Sequence, residues 1–172
     1  ITNGYIINTN LVNKPAIRVS NSKLTVNNID LKTTYHGIRL DGQSYGNIHS
    51  NLECINNRNY TLNLVYLTGT STCNLSGNLV GTFGKVVQGV GSDLIYLSPG
   101  TNAVINHGSF YRTNRYGRDY YVKEGAKLVI KEWENFSTNP KANVANGYHS
   151  LSVYVAAVHS FVQIFNLSLQ IV

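Results

Sequence analysis

The chain has no methionine, one tryptophan, three prolines and two cysteines, and only 13% of its residues are charged. Runs of Ala, Glu, Lys and Leu that favour helix are missing, which excludes a long helical architecture. Two cysteines, Cys54 and Cys73, are too few for a disulfide scaffold. No Cys/His spacing matches a zinc site, so no metal or cofactor is implied. Both cysteines sit in apolar strand patterns and read as buried thiols. No apolar run is long enough to span a membrane, because the longest is broken by His159, Ser160, Gln163 and Asn166. With Ile1 first and no methionine, the chain reads as a piece of a longer protein or a processed product.

What is abundant is Asn, Ser, Thr, Gly and Tyr, a mix that suits turns and short strands. The 172 residues suffice for one core. The net charge of +6 favours anionic partners. The basic residues form no continuous stripe and no nucleic-acid-binding motif, so nucleic acid is not the expected partner.

A repeat underlies the chain. It is carried by "AIRVSNSKLTVNNIDL", "GIRLDGQSYGNIHSNL", "NLVYLTGTSTCNLSGNL", "DLIYLSPGTNAVINHGSF" and "DYYVKEGAKLVIKEW". Each copy opens with an apolar–x–apolar triplet: Ile17/Val19, Ile38/Leu40, Val65/Leu67, Ile95/Leu97 and Tyr120/Val122. A turn follows, then a second apolar pair: Leu24/Val26, Gly46/Ile48, Cys73/Leu75, Ala103/Ile105 and Leu128/Ile130. Several copies carry a third run, such as Ile29/Leu31 or Leu52/Cys54, and "NGYIINTN" is an earlier partial copy. Equivalent strands lie 21 to 30 residues apart, with no helical pattern between them. Short period-two strands separated by Gly, Asn, Asp and Ser turns predict an all-β, right-handed parallel β-helix of about six coils, with three short strands per coil. Asn51, Asn78 and nearby Asn28 fall at similar places and are expected to stack at a corner.

The coil motifs "AIRVSNSKLTVNNIDL" and "HGIRLDGQSYGNIHSNLECI" resemble those of pectate-lyase-like β-helices. The Asn- and Tyr-rich, weakly charged, irregular coils resemble bacteriophage tailspikes and tail fibres over roughly residues 4–136. That resemblance implies a homotrimeric appendage of the virion tail, extracellular, that contacts host-surface polysaccharide. It implies fold more directly than activity.

In each first strand, the residue between the two inward positions points outward. Those residues are Arg18, Arg39, Tyr66, Tyr96 and Tyr121, a predicted ladder on one sheet. The loop "FYRTNRYGRDYYVK" leads into the fifth rung and adds Arg112, Arg115 and Arg118. Tyrosine rings pack on the C–H faces of sugars, and guanidinium groups bind hydroxyls and carboxylates. The same residue types suit a subunit interface, so a glycan-binding face and a purely structural trimeric stalk are both open.

A polysaccharide depolymerase, hydrolase or lyase, needs paired acids or an acid with a base. The carboxylates Asp41, Asp93 and Asp119 are the candidates near the ladder, with Asp93 and Asp119 able to meet across one coil step. Asp30 and Glu53 form the tightest carboxylate pair elsewhere, and nearby Lys32 marks it as a surface ion-pair cluster. His36, beside Tyr35, is the histidine best placed for proton transfer. No Asp cluster of the calcium-binding kind is present.

Two parts are expected: β-helix coils over 1–138, and a capping or trimerisation segment over 139–172. The second part is uncharged from Leu151 onward and alternates at Leu151/Val153/Val155/Ala157 and Leu167/Leu169/Ile171. It reads as two or three strands that leave the coil and either cap its open edge or pair between chains.

Overall fold

A computed structural model describes residues 1–8, 14–56, 63–83, 92–112, 117–131, 133–134, 153–155, 161–164 and 167–168. Every helix or strand among them is a strand. In chain order these are β1 (Thr2–Asn8), β2 (Ile17–Ser20), β3 (Lys23–Thr33), β4 (Ile38–Asp41), β5 (Tyr45–Asn56), β6 (Asn63–Leu67), β7 (Thr72–Phe83) and β8 (Ser92–Leu97). There follow β9 (Asn102–Arg112), β10 (Gly117–Val122), β11 (Lys127–Ile130), β12 (Trp133–Glu134), β13 (Val153–Val155), β14 (Phe161–Ile164) and β15 (Leu167–Ser168).

The strands form two parallel sheets. One runs β1-β3-β5-β7-β9-β11-β14, with β12 and β15 alongside, and the other runs β2-β4-β6-β8-β10-β13. From β1 to β11 successive strands alternate between the sheets, so the chain winds as a solenoid. Four full turns separate β2 from β10, fewer than the six expected. The expected count included the partial copy at the start, which contributes only β1 to one sheet.

The period-two apolar pattern sets the register. Ile17, Ile38, Val65, Ile95 and Tyr120 follow one another as backbone partners, as do Val19, Leu40, Leu67, Leu97 and Val122. On the other sheet Leu24, Gly46, Cys73, Ala103 and Leu128 align, beside Val26, Ile48, Leu75, Ile105 and Ile130. Most of these side chains are fully buried between the sheets. A buried Leu or Ile contributes about 1.5–3 kcal/mol. A slip of one residue would turn the whole apolar set outward, which fixes the register.

The expected three strands per coil become two. The second and third runs continue as one long strand that turns a corner where its ladder is briefly interrupted. The register shifts between Asn27 and Asp30, and again between Leu75 and Ser76. Asn28 lies within the first irregularity with φ of 53°, and Gly77, with φ of 128°, follows just after the second, whose extra residue is on β9. Such a bulge bends a strand while its hydrogen bonding resumes on both sides. Of the expected stack, Asn51 and Asn78 fall level between the partners His49/Ser76 and Leu52/Leu79, while Asn28 lies in the irregular stretch. Asn28 Nδ2 donates to Asn3 Oδ1 at 2.9 Å, and Asn51 Nδ2 donates to Asp30 Oδ1 at 3.0 Å.

The opposite corner is a tight turn repeated in each coil. One residue of each turn has positive φ: Asn21, Gly42, Gly69, Gly100 and Gly125. Buried hydroxyls stack beneath them. Ser44, Ser71 and Thr101 each donate to the carbonyl three residues earlier, at 2.6, 2.7 and 2.6 Å. Each hydroxyl adds a second donor to a carbonyl that also accepts a backbone N–H, from Asn21, Ser71 and Thr101 respectively.

Beyond residue 138, strands expected to leave the coil extend it. β13 pairs with β10, β14 with β11 and β15 with β12, all in parallel. The connector 135–150, where the boundary was expected, lies outside the described residues.

Candidate functional site: an outward column of arginine and tyrosine

The register that buries Ile38, Val65 and Ile95 sets their chain neighbours on the outer face. Arg18 is the backbone partner of Arg39, Arg39 of Tyr66, Tyr66 of Tyr96, and Tyr96 of Tyr121. Arg18 is exposed, and the other four are half-buried. The rings meet edge to face. Tyr66 and Tyr96 have centroids 4.8 Å apart with planes at 85°, and Tyr96 and Tyr121 are 5.0 Å apart at 86°. This arrangement matches positive ring edges to negative faces, which stacked rings would not. Cations lie against the first and the middle of the three rings. The Arg39 guanidinium carbon lies 5.0 Å from the Tyr66 centroid, and Lys123 Nζ lies 5.6 Å from that of Tyr96.

Below the tyrosines, one carboxylate joins three coils. Arg39 donates through Nε to Asp41 Oδ1 at 2.6 Å, and Arg18 donates through Nε to Oδ2 at 2.7 Å. Thr68 Oγ1 donates to Oδ1 at 2.8 Å. Burial alone would raise the Asp41 carboxyl, but the bonds from Arg39, Thr68 and Arg18 outweigh it and hold the group below its ordinary value. Asp41 is therefore a fixed anion with both oxygens engaged. That suits anchoring two arginines better than delivering a proton.

His36 closes one side of the column. Its ring lies 4.1 Å from Tyr35 and 6.1 Å from Tyr66, centroid to centroid. Its Nδ1 accepts the backbone N–H of Asn63 at 2.9 Å. Burial pushes the imidazole down to about 4, and the charge of Arg39 acts in the same direction. At neutral pH His36 is thus an uncharged ring with its proton on Nε2, fixed beside Tyr66.

Other expected site residues fall less centrally. Arg112 ends β9, Arg118 lies in β10, and Arg115 is outside the described residues. Asp93 is fully buried in β8, with Asn63 and Arg118 as its backbone partners. Asp119 follows Arg118 in β10, so the register sets Arg118 rather than Asp119 beside Asp93. Asp30 and Glu53, read as equivalents in adjacent coils, are not. Asp30 pairs with Asn51, and Glu53 pairs with Lys32 in a 2.9 Å ion pair. Cys54 and Cys73 are buried free thiols. Among the described residues, no three His, Cys, Asp or Glu side chains are grouped to hold a metal ion.

One backbone position in line with the column was not anticipated from the sequence. Tyr154 in β13 is the backbone partner of Tyr121. The signal was present: "VYV" repeats the apolar–Tyr–apolar pattern of "IYL" in β8. No family model, no curated protein and no solved structure matches this chain.

Proposed function

We propose that the chain belongs to a homotrimeric tail appendage of a bacteriophage, a right-handed β-helix whose outer sheet binds host-surface polysaccharide. The observation that carries the binding half is the tyrosine column. Three half-buried rings on successive rungs form an apolar strip along the solenoid axis, bordered by Arg39, Lys123 and His36. Rungs are spaced about 4.8 Å apart, so the strip offers one ring after another to an extended chain of sugars. Strand-borne residues hold such a strip more rigidly than loop residues do. The appendage half rests on the resemblance of the coils to tailspikes. The uncharged C-terminal strands serve there as cap or trimer contact.

The test pairs light scattering with a glycan array, on the parent and on Tyr66→Ala/Tyr96→Ala. A trimeric parent that retains a glycan without shortening it, and a trimeric variant that has lost retention, supports the reading. A variant that falls to monomer makes the column a subunit interface and ends the binding assignment. Shortening of the glycan, lost on replacing one carboxylate by its amide, makes the protein a depolymerase instead.

A further inference from the structure

We infer that Arg18 and Arg39, set side by side by Asp41, form a subsite for the carboxylate of an acidic sugar. The glycan read by the tyrosine column is then a uronate- or sialate-bearing polysaccharide. This rests on the reading of that column as a carbohydrate face.

The two arginines are backbone partners on adjacent rungs, and like charges so placed repel. Asp41 offsets the repulsion by accepting one Nε–H on each oxygen, at 2.7 and 2.6 Å. Thr68 Oγ1 steadies the carboxylate from the next coil. The Asp41 side chain is only 10% exposed, while those of Arg18 and Arg39 are 63% and 33% exposed. The anion is therefore the buried base, and the cations are the outward layer.

Two features make this a receptor for an anion rather than a closed ion pair. First, the charges do not cancel: two guanidinium groups share one carboxylate, leaving one positive charge at the outer face. Second, a guanidinium bound at its Nε edge carries further N–H groups on its Nη nitrogens, in a fork that matches a planar carboxylate. Arg39 is also pinned from the other side by the Tyr66 ring at 5.0 Å. An incoming carboxylate therefore meets donors already oriented, with little further ordering to offset. The subsite is continuous with the column, because Tyr66 is the next rung after Arg39. A sugar ring on Tyr66 would hold its carboxylate over the arginines.

The test uses oligomers of galacturonate, of hyaluronan and of sialic acid, each beside its carboxyl-reduced counterpart, with dextran sulfate as a bulk polyanion. Binding is measured on the whole chain and followed by the Nε–H signals of arginine-labelled protein. The expected result is binding of at least one acidic oligomer about tenfold tighter than its reduced form, with Arg18 and Arg39 signals shifting. Arg18→Gln/Arg39→Gln removes that preference. Arg18→Lys/Arg39→Lys, which keeps charge beside Asp41 should the first variant fold poorly, also reduces it because the fork is lost. Equal binding of acidic and reduced oligomers overturns the subsite and leaves the column standing. Dextran sulfate binding as tightly as the carboxylate sugars also overturns it. Binding of no oligomer in either form overturns the subsite and the carbohydrate face together.

Discussion

The backbone N–H of Asn63 donates to Nδ1 of His36 across one coil step, at 2.9 Å. Protonating that nitrogen removes the acceptor and charges a buried ring beside Arg39. The folded pKa, about 4, lies below the ordinary value of 6.5. The unfolded chain therefore binds the extra proton first as pH falls. Stability should decline from about pH 6.5 to about pH 4 and then stop declining on this account, a loss on the order of 1–3 kcal/mol. Urea titrations across that range, on the parent and on His36→Gln, test this. A parent slope that survives the substitution would assign the effect elsewhere.

Asp41 acts in a lower window. Its folded pKa lies below the ordinary 3.8, so its contribution is complete above that value and is lost as pH falls through the folded one. Asp41→Asn should cost about 1–2 kcal/mol at neutral pH, moderated because its partners are partly exposed. The same variant should flatten the acid limb of the stability curve below pH 4. An unchanged acid limb would show that Asp41 is not the titrating group.

The turn column predicts unequal costs for one substitution. Gly69 has φ of +67°, and an added Cβ would lie 2.7 Å from the carbonyl oxygen of Gly42. Gly125 has φ of +71°, but its nearest neighbour would be 3.8 Å away. Gly125→Ala should cost about 1 kcal/mol for the left-handed backbone alone. Gly69→Ala should cost clearly more, because the backbone of the preceding coil at Gly42 must shift. Denaturation midpoints at equal m-value compare the two.

Tyr96 touches a ring on each side, so its removal breaks two edge-to-face contacts at once. Tyr96→Ala should lower stability by about 1–3 kcal/mol. Tyr96→Phe keeps both ring contacts and should cost well under half as much. Similar losses for the two variants would mean that the hydroxyl, not the ring stack, is what matters.

The thiols should be silent while the coil is intact. Burial raises Cys73 to about 12 and raises Cys54 as well, so neither is a thiolate at neutral pH. A disulfide reagent should label them only as fast as the coil opens, and labelling should accelerate with urea. Rapid labelling of the native chain would contradict their burial.

Much of the coil was legible because one physical rule repeats. Inward positions must be apolar in every rung, so five weak triplets reinforce one another, and the partners of Arg39, Tyr66 and Tyr96 follow from simple alternation. The corners were harder. Asn28 and Gly77 bend a strand through a change of backbone angle, and no side-chain period announces that. Asp30 and Glu53 lie two positions out of step, because Glu53 partners Lys32, and alternation is blind to a displacement of two. The bond between His36 and Asn63 joins residues 27 apart in sequence, across a loop whose length no local pattern fixes.

Leu40 and Leu67 occupy the same point of successive coils, each buried and each followed by the same turn. The chain could therefore pass from Leu40 straight to Thr68 and still arrive in step. Such an excision would remove one rung whole and leave the inward apolar positions in step, although Arg18 and Lys32 would lose Asp41 and Glu53 as partners. The molecule behaves as a ruler with interchangeable divisions. Its length, and with it the reach of the tyrosine strip, can be altered by whole units, while a cut that is not a full unit throws every later side chain out of place.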